Sequence, residues 1–121
     1  MRSLGLSRQE WIMRKDLRQE YSHKKEDFLE RIKGLPDSVE INLPDGYYIG
    51  QIDANRVRCG KGLLKYPVGD IYFGGWKDEC FHGQGVYIFQ SGEIYEGLLN
   101  NGMKEGHGIY YYEEGRAYYD G

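Results

Sequence analysis

Three side chains able to bind a metal recur at one interval: Cys59, His82 and Glu105 stand 23 residues apart. Thiolate, imidazole and carboxylate are the donor types that hold zinc. Gly83-Gln84-Gly85 has the Gly-x-Gly spacing that cradles phosphate when it opens a helix after a strand. The acidic pairs Asp78-Glu79 and Glu113-Glu114 are candidates for general acid–base work. None of these survives its context. No helical pattern follows the glycines, and no Gly-Lys-Ser/Thr occurs. The acids sit among turn residues, where a solvated face is the expected outcome. Cys80 shares its position with Val57 and Met103 and reads as a small buried apolar group. His107, between Gly106 and Gly108, reads as a sheet-surface residue. No Ser/His/Asp or Cys/His arrangement has support beyond the presence of those residue types. The expectation is no catalytic residue, no cofactor and no metal.

The elements that carry these residues are set by a period. Gly46, Gly69, Gly92 and Gly115 are spaced by 23. So are Gly60, Gly83 and Gly106, then Gly62, Gly85 and Gly108, and also Tyr72, Tyr95 and Tyr118. Internal repetition on this scale is the signature of a repeat architecture. Each copy holds two short runs of aromatic and β-branched residues, as in Tyr72-Phe73-Gly74-Gly75-Trp76 and Val86-Tyr87-Ile88-Phe89. Polar residues and glycine separate them, which marks turns. The unit is a β-hairpin, and successive hairpins extend one antiparallel sheet. Equivalent residues then lie two strands apart, about 9–10 Å at ~4.8 Å per strand. That distance is too long for Cys59, His82 and Glu105 to share a tetrahedral ion.

Columns of equivalent residues describe the sheet faces. Leu64, Tyr87 and Tyr110 form one column, and Tyr66, Phe89 and Tyr112 form another on the same face. Ile52, Trp76 and Leu99 form a third. Such stacked pairs contribute about 0.2–1 kcal/mol each.

Eighteen glycines and twelve tyrosines in 121 residues fit one domain with a modest core and argue against disorder. The net charge of −3 is unevenly placed. Residues 1–35 carry nine Lys/Arg and six Asp/Glu, whereas residues 36–121 carry seven and thirteen. The acidic repeat segment is a poor match for nucleic acid or an anionic bilayer. Two cysteines make no disulfide framework, and no apolar run reaches the ~18 residues of a membrane span. The basic start Met1-Arg2-Ser3-Leu4 has the character of a mitochondrial address, against which Glu10 and Asp16 count.

The repeat resembles the MORN (membrane occupation and recognition nexus) repeat. The family motif is Tyr-x-Gly-x-Trp, a turn, Gly-x-Gly, then a strand ending in Gly-x-x-Tyr-x-Gly. Tyr72, Gly74, Trp76, Gly83, Gly85, Gly92, Tyr95 and Gly97 match it throughout. A following copy uses Tyr95, Gly97, Gly106, Gly108, Gly115 and Tyr118, with Leu99 in the tryptophan position. An earlier copy uses Tyr48, Gly50, Gly60, Gly62, Gly69 and Tyr72, with Ile52 in that position. It is shifted by one residue before Gly50 and recovers before Gly60, which suggests a bulge or a longer turn. Residues 41–46 line up with 64–69 as a half-repeat. Tyr118-Tyr119-Asp120-Gly121 stands where a fourth copy would begin. The resemblance covers about residues 39–121. It implies a twisted single-layer sheet with a groove on one face and no chemistry of its own. In family members that are enzymes, catalysis resides in a separate domain. Other members scaffold cytoskeletal, junctional or ciliary assemblies, and some are linked to phospholipids.

Residues 1–38 lie outside the repeats. Ser7 and Glu10 form a capping box, helix formers run to Lys33, and Gly34 and Pro36 stop the helix. A helix of roughly 26 residues is about 39 Å long. Among its apolar residues, Trp11, Leu17, Tyr21, Phe28 and Ile32 stand out, the last four on one narrow stripe. The stripe either covers the chain's own sheet or docks on another protein. A membrane-surface helix is the weaker alternative, since its polar face carries many acids.

The expected fold is mainly β: a single-layer antiparallel sheet of about three hairpin repeats plus a half-repeat, over residues 39–121, after a helical anchor over 1–38. The expected function is a non-catalytic structural or interaction subunit of a larger multi-protein assembly. The alternatives are a phospholipid- or membrane-tethering module and a regulatory subunit of an enzyme. Partners are other proteins, with no nucleic acid and only weakly supported membrane contact. Candidate contacts are Trp11, Leu17, Tyr21, Phe28 and Ile32 on the helix, and Tyr47, Tyr48, Phe73, Trp76, Tyr87, Tyr110, Tyr111, Tyr112 and Tyr119 on the sheet. An intracellular setting is expected, in the cytoskeleton or cilium, with a mitochondrial complex as the alternative.

Overall fold

The computed structural model describes residues 8–112 and 115–120, with side chains over 18–112. One helix, α1 (Arg8–Lys33), precedes eight strands: β1 (Ser38–Leu43), β2 (Gly46–Ile52), β3 (Arg58–Lys65), β4 (Ile71–Lys77), β5 (Cys80–Ile88), β6 (Ile94–Asn100), β7 (Met103–Tyr112) and β8 (Gly115–Asp120). The strands form one sheet in chain order, with every neighbouring pair antiparallel. Strand pairs β2–β3, β4–β5 and β6–β7 are the three repeat hairpins, and β1 is the half-repeat. The helix has the expected 26 residues. It stops where the Gly34 N–H donates to the Arg31 carbonyl and the Leu35 N–H to that of Ile32. Ser7, read as its N-cap, lies outside the described residues.

Turn chemistry explains the reversals. β4 returns as β5 through Asp78 and Glu79, with φ of 51° and 72°. β6 returns as β7 through Asn101 and Gly102, at 52° and 83°. Positive φ at both central residues is the type I′ turn, whose twist matches that of paired strands. The first hairpin turns instead through residues 53–57, where Asp53 Oδ1 accepts the N–H groups of Asn55 and Val57 at 2.8 and 3.0 Å. This loop is one residue longer and the preceding turn one shorter. The shift around Gly50 is therefore a difference in turn length. The bulge expected there exists, but each of the three repeat hairpins has one. Register breaks fall at Gly50/Ile52, Gly74/Trp76 and Gly97/Leu99. The bulged strands hold Gly60, Gly83 and Gly106 at φ of 64°, 78° and 66°, which accounts for that glycine column.

A second set of glycines forms a row. Gly50 pairs with Gly62, Gly62 with Gly74, Gly74 with Gly85, Gly85 with Gly97, and Gly97 with Gly108. Six strands thus present bare backbone side by side. Tyr48, Tyr72 and Tyr95 lie along this row, and each hydroxyl would touch a Cβ at Gly62, Gly85 or Gly108 respectively. Each hydroxyl donates to the carbonyl three residues on: Tyr48 to Gln51 at 2.7 Å, Tyr72 to Gly75 at 2.8 Å, Tyr95 to Leu98 at 3.0 Å. The three are 0–1% exposed. A cover residue closes each ring from the other side. Arg58 lies 5.7 Å from the Tyr48 ring, Phe81 stacks 3.9 Å from Tyr72, and Lys104 lies 5.2 Å from Tyr95. Trp76 wedges edge-on against both Tyr48 and Tyr72 at 5.4 Å, and its Nε1–H donates to the Gly62 carbonyl at 3.0 Å.

The other face is covered by α1. Tyr21 and Ile32, 2% and 1% exposed, pack with Ile49, Leu63, Phe73, Val86 and Ile94, flanked by Phe28 and Leu29. Burying such side chains contributes about 1.5–3 kcal/mol each. Phe28 meets Phe73 at 5.2 Å and Tyr21 meets Tyr111 at 5.9 Å. A polar latch fixes the helix further along: the Tyr21 hydroxyl donates to Glu96 Oε1, and Lys24 Nζ lies 3.5 Å from the same oxygen. Among the described side chains, the helix stripe is thus spent on the chain's own sheet. Trp11 and Leu17 have side chains outside that set.

Two predictions follow from this packing. A Cβ at Gly97 would sit 2.5 Å from Gly108 Cα, 2.6 Å from the Tyr95 hydroxyl and 2.8 Å from the His107 carbonyl oxygen. At Gly102, where φ is 83°, it would meet nothing within 4 Å. Gly97→Ala is expected to cost about 2–3 kcal/mol in urea unfolding and Gly102→Ala about 1 kcal/mol. Equal losses would contradict the floor role of the row. The second concerns alkaline pH. Burial pushes the Tyr21, Tyr48 and Tyr72 phenols well above the ordinary value of 10.0, with Glu96 adding to the first. Above pH 10 the unfolded chain releases these protons while the folded chain keeps them. Stability therefore falls as pH rises, by about 1.4 kcal/mol per pH unit for each phenol and about 4 for three. Native phenolate absorbance should lag and then appear together with loss of the fold. Smooth ionisation of all tyrosines near pH 10 in an intact fold would refute it.

Candidate functional site

The open side of the sheet is built by strand alternation. Leu64, Tyr72, Trp76 and Tyr95 point away from the helix, and Tyr66, Phe81, Tyr87 and Tyr110 pack on the same cluster. The deep tyrosines belong to the glycine row. Nearer the strand ends, the two expected columns make a half-buried aromatic strip. Ring centroids run Tyr66 to Tyr87 at 6.1 Å, Tyr87 to Phe89 at 4.6 Å, Phe89 to Tyr110 at 6.0 Å and Tyr110 to Tyr112 at 4.6 Å. Tyr112 is 51% exposed. Among the described residues, no element lies over this strip.

Two carboxylates edge it. The turn after β3 closes with the Tyr66 N–H on the Asp70 carbonyl, and the turn after β5 repeats this with Phe89 and Glu93. That fold-back places one acid beside each tyrosine of the next strand. Tyr87 donates to Asp70 Oδ2 at 2.8 Å, and Tyr110 to Glu93 Oε1 at 2.8 Å. Asp70 Oδ1 also accepts the Gln90 N–H at 2.8 Å. Burial and then the bonded carboxylate raise both phenols, Tyr110 to about 12, so they remain donors at neutral pH. At the far end of the strands, Arg58 is 9% exposed. Its Nε donates to Glu79 Oε1 at 2.7 Å, its backbone N–H to Glu79 Oε2 at 2.9 Å, and its Nη1 lies 3.2 Å from Asp45 Oδ2. This pairing holds Glu79 in its left-handed turn conformation and caps the Tyr48–Trp76 pair.

The structure sorts the candidate contacts. Tyr48 and Trp76 are core on the open side, and Phe73 is core beneath the helix. Tyr21, Phe28 and Ile32 pack on the chain's own sheet, with Tyr47 and Tyr111 beside them. These residues are occupied, because single-layer packing draws its largest side chains inward on both faces. Tyr87, Tyr110 and Tyr112 lie on the open strip. The Tyr119 side chain lies outside the described residues. Cys80 is half-buried rather than buried, since it opens β5 beside an exposed turn. His82 has a buried Nδ1 without a partner, and among the described residues no three His, Cys, Asp or Glu converge as a metal site. Reading residues singly overlooked Asp70, Glu93 and the Arg58–Phe81–Lys104 cover column. The signal was present, since both sets recur at 23 residues.

No helix among the described residues is long and apolar enough to cross a membrane. No curated protein matches the chain. The MORN repeat profile matches three consecutive segments, residues 57–71, 72–94 and 95–115. These correspond to β3 with its turn, the β4–β5 hairpin, and the β6–β7 hairpin. MORN repeats are protein-interaction and membrane-binding modules. With its glycine floor, its bulged hairpins and its aromatic columns in register, the chain belongs to the MORN repeat proteins.

Proposed function

We propose that this chain is a non-catalytic interaction subunit, which holds a partner protein on the open aromatic face within a larger assembly. The observation that carries the reading is the uncovered strip from Tyr66 to Tyr112. These rings pack on the core cluster beneath them yet keep an outer edge exposed, and interfaces favour tyrosine because its ring is apolar and its hydroxyl can be satisfied. The helix supports the same division. Its described apolar residues cover the opposite face, which leaves one face for partners. A membrane role for α1 has less support, since Lys24 is turned inward to Glu96 and Tyr21. A cytoskeletal, ciliary or mitochondrial assembly is the setting in which such a subunit would act.

Deleting α1 would expose the helix-covered core and confuse unfolding with lost binding. The cleaner test leaves the fold intact. Phe89→Ser with Tyr112→Ser changes only the strip. The wild-type chain is expected to co-purify in a complex far heavier than itself, and the double variant to run alone with an unchanged melting curve. Retention of the variant in the complex, or a wild-type chain that runs alone, would sink the reading.

A further inference from the structure

The first edge of the sheet is bare along its main chain. β1 is six residues long, its register with β2 is unbroken, and among the described residues no strand lies on its outer side. The Ile52 N–H donates to the Asp37 carbonyl at 3.1 Å, and residues 37 and 52 continue the β1–β2 register. In an antiparallel pair, such hydrogen-bonded positions recur at every second residue. Val39, Ile41 and Leu43 therefore spend their main-chain groups on β2, whereas Ser38, Glu40 and Asn42 turn theirs outward. Glu40 and Asn42 are exposed. On the open side, Val39, Ile41 and Leu43 pack on the tyrosine cluster yet stay half-buried. Leu64 stands in the column of Ile41 with a strand on either side of it, and is 1% exposed. What Ile41 lacks is the outer neighbour. An unbulged edge with alternating apolar residues and free main-chain groups is a template for strand addition.

Two residues restrict the added strand. Val39 stands in the column of Gly62, Gly85 and Gly108, the glycines that make room for the tyrosine of the preceding strand. A Tyr-x-Gly strand from a second copy would press its ring onto the Val39 side chain. Glu40 lies at the middle of the outward set. Paired with itself through Ser38, Glu40 and Asn42, β1 would set one Glu40 opposite another, and like charges directly opposite are destabilising. Glu40 accepts the Tyr47 hydroxyl at 2.7 Å and has no cation within 4.0 Å among the described residues. Its carboxylate is complementary to a basic side chain on an incoming strand.

We propose that the outer edge of β1 takes an antiparallel strand of a different protein, with Lys or Arg opposite Glu40 and β-branched or aromatic residues opposite Val39 and Ile41. This site is separate from the aromatic strip and does not rest on the strip's having an occupant.

A labelled peptide with the core Thr-Val-Lys-Val-Thr tests this with the full-length chain. Its lysine faces Glu40 and its valines face Val39 and Ile41. Amide hydrogen exchange carries the signature. In the free chain, the N–H groups of Ser38, Glu40 and Asn42 exchange fast and those of Val39, Ile41 and Leu43 slowly; the peptide is expected to protect the first three. Changing its lysine to glutamate should weaken binding about two- to fivefold, and Glu40→Gln in the chain should erase that preference. Asn42→Pro removes an outward N–H and leaves the ladder to β2 intact. Its melting curve should hold while peptide binding falls roughly tenfold. Phe89→Ser with Tyr112→Ser should bind the peptide as the wild type does. No protection of Ser38, Glu40 and Asn42, equal binding of the lysine and glutamate peptides, or loss of binding in the Phe89/Tyr112 variant would overturn the proposal. Protection of the same amides in the chain alone, lost on dilution, would put a second copy on the edge and overturn it as well.

Discussion

A tyrosine ring lying on glycine backbone, its hydroxyl tied to the carbonyl three residues on, is the contact on which the sheet depends. It solves a problem particular to single-layer folds. A lone sheet has two faces to protect and only one helix to protect them with. On the open side there is no second layer, so the sheet must bury apolar surface within itself. Glycines at paired positions on six strands lower the floor by the depth of a side chain. Tyr48, Tyr72 and Tyr95 then sink to 0–1% exposure with no second layer above them, each closed by one side chain of the neighbouring strand, Arg58, Phe81 or Lys104. The hydroxyl bond fixes the ring and satisfies a carbonyl that the bulge removes from the ladder.

The bulge and the glycine row are two parts of one device. A ladder with uniform register would pair Gln51, Gly75 and Leu98 with β3, β5 and β7 as well and offer no carbonyl to the ring. Breaking the register after Gly50, Gly74 and Gly97 frees those groups and bends the strand over the tyrosine. The bulged strand needs positive φ, hence Gly60, Gly83 and Gly106. Two glycine columns of the period thus have different causes. One supplies space, the other supplies conformation.

Much of this was legible in the sequence, and the limits are instructive. The period of 23 fixed hairpins, strand order and the existence of shared columns. It could not divide the tyrosines between core and surface. Tyr48 and Tyr110 look alike as letters, yet one lies on the glycine row and the other on the strip, because burial depends on which strand partner lacks a side chain. The helix was placed to the residue at its C-terminal end by Lys33 and Gly34, but the side it covers depended on tertiary contacts. Tyr21 meets Glu96 across 75 positions, a pairing no local pattern encodes. Asp70 and Glu93 were readable as a column, and were missed because acids at turns usually face solvent without further role.

The two faces therefore differ in what they can still do. The helix side is closed by apolar contacts and a part-buried polar latch, so engaging a partner there would first require the helix to leave. The open side meets no such barrier. Its deep layer is closed by its own cover residues without a second layer, and its outer layer of Tyr87, Phe89, Tyr110 and Tyr112 remains partly exposed. Rigid rings on strands lose little conformational entropy when a partner binds, and hydroxyls already held by carboxylates need no rearrangement. Self-burial of the inner tyrosines is thus what lets the outer ones stay partly exposed, and each added repeat lengthens both layers together.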